Sequence, residues 1–133
     1  MNNQIVTPSF AAALFYAALP ATAKEERLFV LPLDGNGKAL AKPILVSVGH
    51  EDGTAQIDVG AIFREAFKAG AEEIIVAHNH PSGKLTPSKA DLRLTEELKT
   101  RAEWLGLGFL DHIILGASKS EKGFDFISLA EIM

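Results

Sequence analysis

The sequence predicts an α/β domain with a mixed β-sheet flanked by helices. Patterns typical of helices and strands follow in the order helix, strand, strand, helix, strand, helix, strand, strand, which indicates a layered arrangement. The chain has 133 residues, of which 47% are hydrophobic and 23% charged, as in an ordinary globular domain. Because no repeat, linker or low-complexity stretch is visible, we expect a single domain over residues 1–133.

A helix over residues 8–19 is the first predicted element. A Thr-Pro-Ser start at residues 7–9 precedes an apolar run, and Pro20 ends the pattern. The run is too short to span a bilayer, so we expect no membrane contact. A signal peptide is the alternative interpretation, but residues 1–23 contain no Lys or Arg, which favours an amphipathic or buried helix.

A β-hairpin is predicted next. The apolar segment 27–33 is typical of a strand, the Asp-Gly-Asn-Gly sequence at 34–37 is a strong turn signal, and 43–48 is the returning strand. Residues 49–53 indicate a loop, and residues 54–59 a short extended segment.

The second half of the chain alternates between helices and strands. Helical spacing of apolar residues predicts a helix over 60–69, with Gly70 as its C-terminal cap, and 73–77 is predicted as a buried strand. The remaining elements are a long helix over 88–105 and strands over 109–115 and 124–129.

Charge and cysteine content exclude several classes of protein. The net charge is −4 and the pI is about 5.5, and the Lys and Arg residues are scattered, so the composition does not favour nucleic acid as a partner. The absence of cysteine excludes disulfides, thiolate zinc sites and cysteine nucleophiles, and it fits a cytoplasmic location. A metal site in this chain must therefore use His and carboxylate ligands.

A candidate catalytic metal site is formed by His78, His80 and Asp91. Residues two apart in an extended segment point to the same face, so both imidazoles can converge just beyond the predicted strand. Asp91 follows His80 by eleven residues and falls in the first turn of the next helix. Two His and one carboxylate leave a zinc position for water, as in catalytic sites. Ser88 lies on the same side of the helix start and can face a developing oxyanion.

Simpler interpretations exist for each residue. Ser88 and Asp91 also fit a helix N-cap pattern, and two His at this spacing are usually solvated loop residues. His112 is either a partner that orients a metal ligand or a hydrogen-bonded strand residue, and the second is favoured. His50 is interpreted as a solvated loop residue. The ordered combination of strand, His-x-His-Pro, turn and helix start favours a metal site.

At these residues the sequence resembles the JAMM group of the JAB/MPN domain family, whose pattern is an upstream Glu, then His-x-His-Pro, then Ser-x-x-Asp. The RadC-like branch is the closer match, because it shares longer stretches. These are His-Asn-His-Pro-Ser-Gly at 78–83, Thr-Pro-Ser at 86–88, Asp91, and Asp-His-Ile-Ile at 111–114. The resemblance runs from about Glu25 to the C-terminus.

The resemblance implies a three-layer JAB/MPN-like domain with a cytidine deaminase-like architecture and one Zn²⁺ per chain. It implies that His78, His80 and Asp91 are the zinc ligands. It also implies that Ser88 forms a hydrogen bond to the tetrahedral intermediate.

The resemblance further implies a catalytic glutamate at the start of the first strand. In the RadC-like branch it lies eight residues before the Leu-Asp pair that ends this strand, and counting back from residues 33–34 gives Glu26. Strand alternation points the neighbouring Glu25 to the wrong face, so Glu26 is the favoured general base.

The function implied by the resemblance is that of a zinc metallopeptidase or isopeptidase acting on a peptide or isopeptide substrate. A DNA-repair or recombination protein and a non-catalytic interaction module are the alternatives. Family members often have a helix-hairpin-helix DNA-binding region, and the residues before Glu25 predict a single helix instead. The family's Pro-Arg pair before the middle helix is also missing, with Arg64 as its candidate substitute.

Overall fold

Helices and strands alternate through the part of the chain that the structure describes. The computed structural model describes residues 4–19, 24–49 and 58–132. The predicted loop at 49–53, including His50, and the extended segment at 54–59 lie largely outside them. In chain order the elements are α1 (Pro8–Ala18), β1 (Glu26–Leu33), β2 (Ile44–Gly49), α2 (Val59–Lys68), β3 (Glu73–Asn79), α3 (Lys89–Trp104), β4 (Gly108–Ala117), β5 (Phe124–Ser128) and α4 (Leu129–Ile132).

The strands form one mixed sheet in the order β2-β1-β3-β4-β5. β1 and β2 form the predicted antiparallel hairpin, and the β1–β3 and β4–β5 pairs are also antiparallel. β3 and β4 are parallel, and α3 is the crossover that connects them. The predicted fold class is therefore confirmed. Because β1 runs antiparallel to β3, the first residue of β1 lies close to the last residues of β3.

Each face of the sheet has its own apolar core, which gives three layers. On one face, α1 buries Phe15 against Phe29 of β1, with 6.3 Å between the ring centroids. On the other face, α2 and α3 bury Ile62 and Leu98 beside Val76 of β3. The predicted first helix is thus confirmed as part of the core. No helix in the described ranges is both long enough and apolar enough to cross a membrane.

A β-bulge in β4 sets which face its later residues occupy. Phe109 and Asp111 pair with consecutive residues of β3, so Leu110 is an extra residue on β4. After the bulge, His112 pairs with Val76 and lies on the face that α3 covers. Alternation places Asp111 on the opposite face.

The predicted strand over 124–129 is wrong at its last residue, because Leu129 begins α4 instead. The Ser128 hydroxyl accepts the N–H of Glu131 at 3.3 Å, and Asp111 accepts the N–H of Ala130 at 3.0 Å. These acceptors satisfy the free N–H groups of the first helical turn. The Ser-x-x-Glu sequence at 128–131 is the signal that could have predicted this short helix.

Candidate metal centre

Three elements meet at one corner of the sheet, on the face that α3 covers. β1 starts there with Glu26, and α3 begins there with Asp91 in its first turn. β3 has His78 next to its last residue there and is followed by His80. Alternation along β1 and β3 puts Glu26 and His78 on the same face. We call Glu26, His78, His80 and Asp91 the centre.

The polar atoms of the centre lie close enough to share one ion. One nitrogen or oxygen atom from each residue lies within 4.8 Å of those of the others. The Nε2 atoms of His78 and His80 are 3.0 Å apart. Asp91 Oδ1 is 3.1 Å from Nε2 of His78, and Asp91 Oδ2 is 3.2 Å from Nε2 of His80. Glu26 Oε1 is 3.5 Å from Nε2 of His78.

The orientation of the His80 ring is set by a turn after β3. His80 Nδ1 lies 2.7 Å from the Lys84 carbonyl oxygen, which can only accept, so Nδ1 must be the protonated nitrogen. The Nε2 lone pair therefore points into the centre. Gly83 has a φ of 84°, which favours glycine, and a Cβ on Gly116 would lie only 2.7 Å from the Gly83 carbonyl oxygen. Two glycines thus let this turn lie directly against β4.

The His78 ring is oriented by a chain of buried hydrogen bonds. His78 Nδ1 lies 2.7 Å from Nε2 of His112, and His112 Nδ1 lies 2.7 Å from the Thr95 hydroxyl. The Thr95 hydroxyl in turn donates to the Asp91 carbonyl at 2.9 Å. His112 and Thr95 are both buried, and burial holds the pKa of His112 well below its usual range, so the ring is neutral at pH 7.

The centre brings together acceptor atoms that require a positive charge between them. Two imidazole nitrogens and a carboxylate face one another, an arrangement that is unfavourable unless a proton or a metal ion bridges them. The burial of Asp91 opposes its ionisation, but hydrogen bonding to His78 and His80 outweighs it and holds the pKa of Asp91 well below its usual range. The separations of 3.0–3.2 Å are close to the spacing of about 3.3 Å that bond lengths of about 2.0–2.1 Å give around tetrahedral zinc. The residues present therefore fit a metal ion.

Ser88 caps α3 in the way that the simpler interpretation predicted. Its hydroxyl oxygen accepts the N–H of Asp91 at 3.0 Å, and its own N–H donates to Asp91 Oδ2 at 2.8 Å. This capping box fixes the Asp91 carboxylate beside the imidazoles. The hydroxyl acts here as an acceptor, so its proton is still available to donate to another group.

Asn79, between the two histidines, holds the backbone on both sides of Glu26. Its Oδ1 accepts the N–H of Arg27 at 2.8 Å, and its Nδ2 donates to the Glu25 carbonyl at 3.1 Å. These contacts fix the start of β1 relative to β3. The Glu26 side chain is 19% exposed and that of His78 only 2%, so the centre is open to solvent on the glutamate side.

Most of the sequence-predicted residues are brought together, while their chemical roles stay predictions. Glu26 belongs to the centre, whereas Glu25 is exposed and lies just before β1. Arg64 forms an exposed ion pair with Asp58 at 3.0 Å. The roles of Asn79 and Thr95 were missed, and the only signal for Thr95 was a polar residue beside the apolar stripe of α3, one turn after Asp91.

Comparison with known proteins agrees with this geometry. The family model described as the RadC-like JAB domain matches residues 5–131. The chain belongs to this family. Its curated relatives include a UPF0758 protein of Carboxydothermus hydrogenoformans, 46% identical over 72% of this chain and 42% of the relative. UPF0758 proteins of Synechocystis and Thermosynechococcus vestitus are 38% and 40% identical over 92% and 96% of the chain, and 49% and 48% of the relatives. The chain thus spans less than half the length of these relatives.

Proposed function

We propose that this chain of the RadC-like JAB family is a zinc-dependent hydrolase of peptide or isopeptide bonds. The observation that supports this most directly is the convergence of two imidazole lone pairs and one carboxylate, with a second carboxylate beside them. A set of two His and one carboxylate leaves a fourth position for water or substrate, which is typical of catalytic rather than structural zinc sites.

In this proposal His78, His80 and Asp91 hold the metal ion. Two imidazoles and one carboxylate suit zinc better than magnesium or calcium, which prefer sets made of oxygen ligands alone. Zinc in such a set supplies Lewis acidity and makes water nucleophilic near neutral pH.

Glu26 is the proposed general base. Its carboxylate lies on the solvent side of the centre, where a water molecule and a substrate carbonyl can enter. It accepts a proton from the attacking water as the new C–O bond forms. It then gives that proton to the nitrogen of the breaking C–N bond, so that the amine leaves neutral. Asn79 keeps the backbone around Glu26 in place for both transfers.

Ser88 is the proposed donor to the developing oxyanion. Its oxygen accepts the Asp91 N–H, and its hydroxyl proton can donate to the substrate oxygen as negative charge develops there. Capping of α3 and catalysis are compatible because the two interactions use different atoms of the hydroxyl group.

The experiment compares Glu26→Gln with the matched control Glu25→Gln. The proteins are loaded with zinc, their metal content is measured by elemental analysis, and turnover is measured with fluorogenic peptide libraries and lysine-branched isopeptides. We expect about one zinc per chain in all three proteins. Turnover is expected to fall at least 100-fold in Glu26→Gln, because a positioned general base contributes roughly 10²–10⁴-fold, and to stay close to wild type in Glu25→Gln.

Two results would contradict the proposal. Full turnover in Glu26→Gln would exclude this residue as the base. A wild-type protein that takes up no zinc from a metal-supplemented buffer would exclude the metal-dependent mechanism altogether.

A further inference from the structure

A closed ring of interactions joins the centre to β4. It passes from His78 to His112, from there to Thr95, and from Thr95 to the carbonyl of Asp91, whose carboxylate faces His78 again. The four contacts that make up this ring are between 2.7 and 3.1 Å long. β4 contributes no residue to the centre itself, but this ring joins its His112 side chain to His78 and Asp91.

The direction of every hydrogen bond in this ring follows from its fixed end. The Asp91 carbonyl can only accept, so the Thr95 hydroxyl donates to it. The Thr95 oxygen must then accept the Nδ1–H of His112. His112 is fully buried, and neither partner of its ring nitrogens is a carboxylate that could balance a positive charge, so Nε2 carries a lone pair and accepts from His78 Nδ1–H.

We propose that His112 and Thr95 are positioning residues that hold His78 in the tautomer protonated on Nδ1. In this tautomer the Nε2 lone pair faces the centre and can bind a metal ion. In the other tautomer a hydrogen atom would occupy that place and block binding. The proposal rests on the metal site proposed above, and it adds that β4 and α3 prepare this site before the ion arrives.

Two pairs of variants distinguish an effect on the tautomer of His78 from an effect on packing. His112→Leu fills the volume without an acceptor, whereas His112→Gln restores an acceptor oxygen near the position of Nε2. Thr95→Val removes the hydroxyl at nearly constant shape, whereas Thr95→Ser keeps it. Circular dichroism and urea unfolding of the metal-free proteins show which variants are folded, and the Thr95 pair tests the proposal if the His112 pair does not fold.

Two measurements are made on each folded protein. Zinc affinity is measured by competition with a chelator, and the tautomer of His78 in the metal-free protein is measured from long-range ¹H–¹⁵N correlations in alkaline buffer. We expect wild type, His112→Gln and Thr95→Ser to show the Nδ1–H tautomer. We expect His112→Leu and Thr95→Val to show a mixture, with zinc affinity reduced roughly 10–100-fold, the usual effect of removing a partner that orients a ligand.

The results distinguish this inference from the proposed function. The inference is overturned if metal-free wild type has its proton on Nε2 of His78, or if His112→Leu and Thr95→Val bind zinc as tightly as their Gln and Ser counterparts. If the expected tautomers and affinities are found but no peptide bond is cleaved, the positioning role stands and the hydrolase function fails.

Discussion

Two buried aspartates, Asp91 and Asp111, lie on opposite faces of the sheet and both serve the first turn of a helix. The oxygens of Asp111 face hydrogen-bond donors only, from His112, Ser128 and Ala130. Those of Asp91 face one backbone N–H and two imidazole nitrogens, which are acceptors in the neutral tautomers proposed above. Burial and helix capping are therefore common to both. What separates a candidate metal ligand from a structural carboxylate is whether donors or acceptors surround it.

The largest expected effect is the loss of zinc binding in Asp91→Asn. The amide oxygen still accepts the Ser88 N–H, but the charged ligand is gone, so we expect zinc affinity to fall more than about 100-fold, beyond the effect of removing an orienting partner. The metal-free variant should be at least as stable as wild type near pH 8, because an amide N–H can donate to an imidazole lone pair. Chelator competition measures the zinc affinity, and urea unfolding measures the stability of the metal-free variant. A large loss of that stability would contradict the proposed difference between Asp91 and Asp111.

The matched change, Asp111→Asn, should lower the stability of the fold and leave zinc affinity nearly unchanged. It weakens charge-assisted hydrogen bonds that join β4 to β5 and α4, so we expect the free energy of unfolding to fall by about 1–3 kcal/mol. Zinc affinity should stay within about threefold of wild type, since none of the Asp111 contacts reaches the metal ligands. Zinc binding reduced as strongly as in Asp91→Asn would show that the two aspartates are not independent.

Acid should release zinc from the centre, which contains Asp91. Burial opposes the protonation of His80, but the Asp91 carboxylate and the Lys84 carbonyl outweigh it and raise the pKa of His80 above its ordinary value. In the metal-free protein this protonated His80 stabilises the fold at low pH, and that contribution is lost as pH rises through the raised pKa. Zinc binds only the neutral His80 ring. The affinity of the protein for zinc should therefore rise with pH through the same range, by up to about tenfold per pH unit for each proton displaced. Zinc titrations at several pH values measure this slope, and an affinity independent of pH between 5 and 8 would contradict it.

The smallest effect on stability should come from Ser128→Ala, whose hydroxyl donates to Asp111 in the wild-type protein. The variant loses the cap of α4 and one donor to Asp111, at a cost of about 1 kcal/mol in unfolding free energy. Ser88→Ala is the matched change at α3 and should cost a similar amount. Zinc affinity should fall more in Ser88→Ala, since only that serine holds a carboxylate of the centre.

The fold could be predicted from the sequence wherever the pattern was local. Apolar runs and turn residues predicted the hairpin, the helices and the strands, because their signals lie within a few neighbouring residues. The strand order and the side of the sheet that each helix covers depend on contacts between distant segments. α4 was missed although Ser-x-x-Glu is a local signal, and its other acceptor, Asp111, lies seventeen residues before the Ser128 cap.

The residues of the candidate site also differ in whether their signals are local in the sequence. His78, His80 and Asp91 lie in one short motif, and the family resemblance predicted Glu26 from its distance to residues 33–34. His112 and Thr95 join this group only through the packing of β4 under α3, and an ordinary hydrogen-bonded strand residue was the favoured interpretation of His112 from the sequence. The members of the centre can therefore be predicted from motif spacing and resemblance, whereas the residues that orient them require the tertiary structure.

The extra residue at Leu110 makes the register of β4 as important as its composition. If Leu110 paired regularly with Ile75 instead of forming the bulge, Asp111 and His112 would exchange faces, so that the carboxylate would lie under Thr95 and the imidazole would point into the layer of α1. All four members of the centre would still be present in such a chain. A homologue in which the bulge is absent and the register of β4 moves by one residue can therefore preserve the whole motif and yet lose the ring that prepares it.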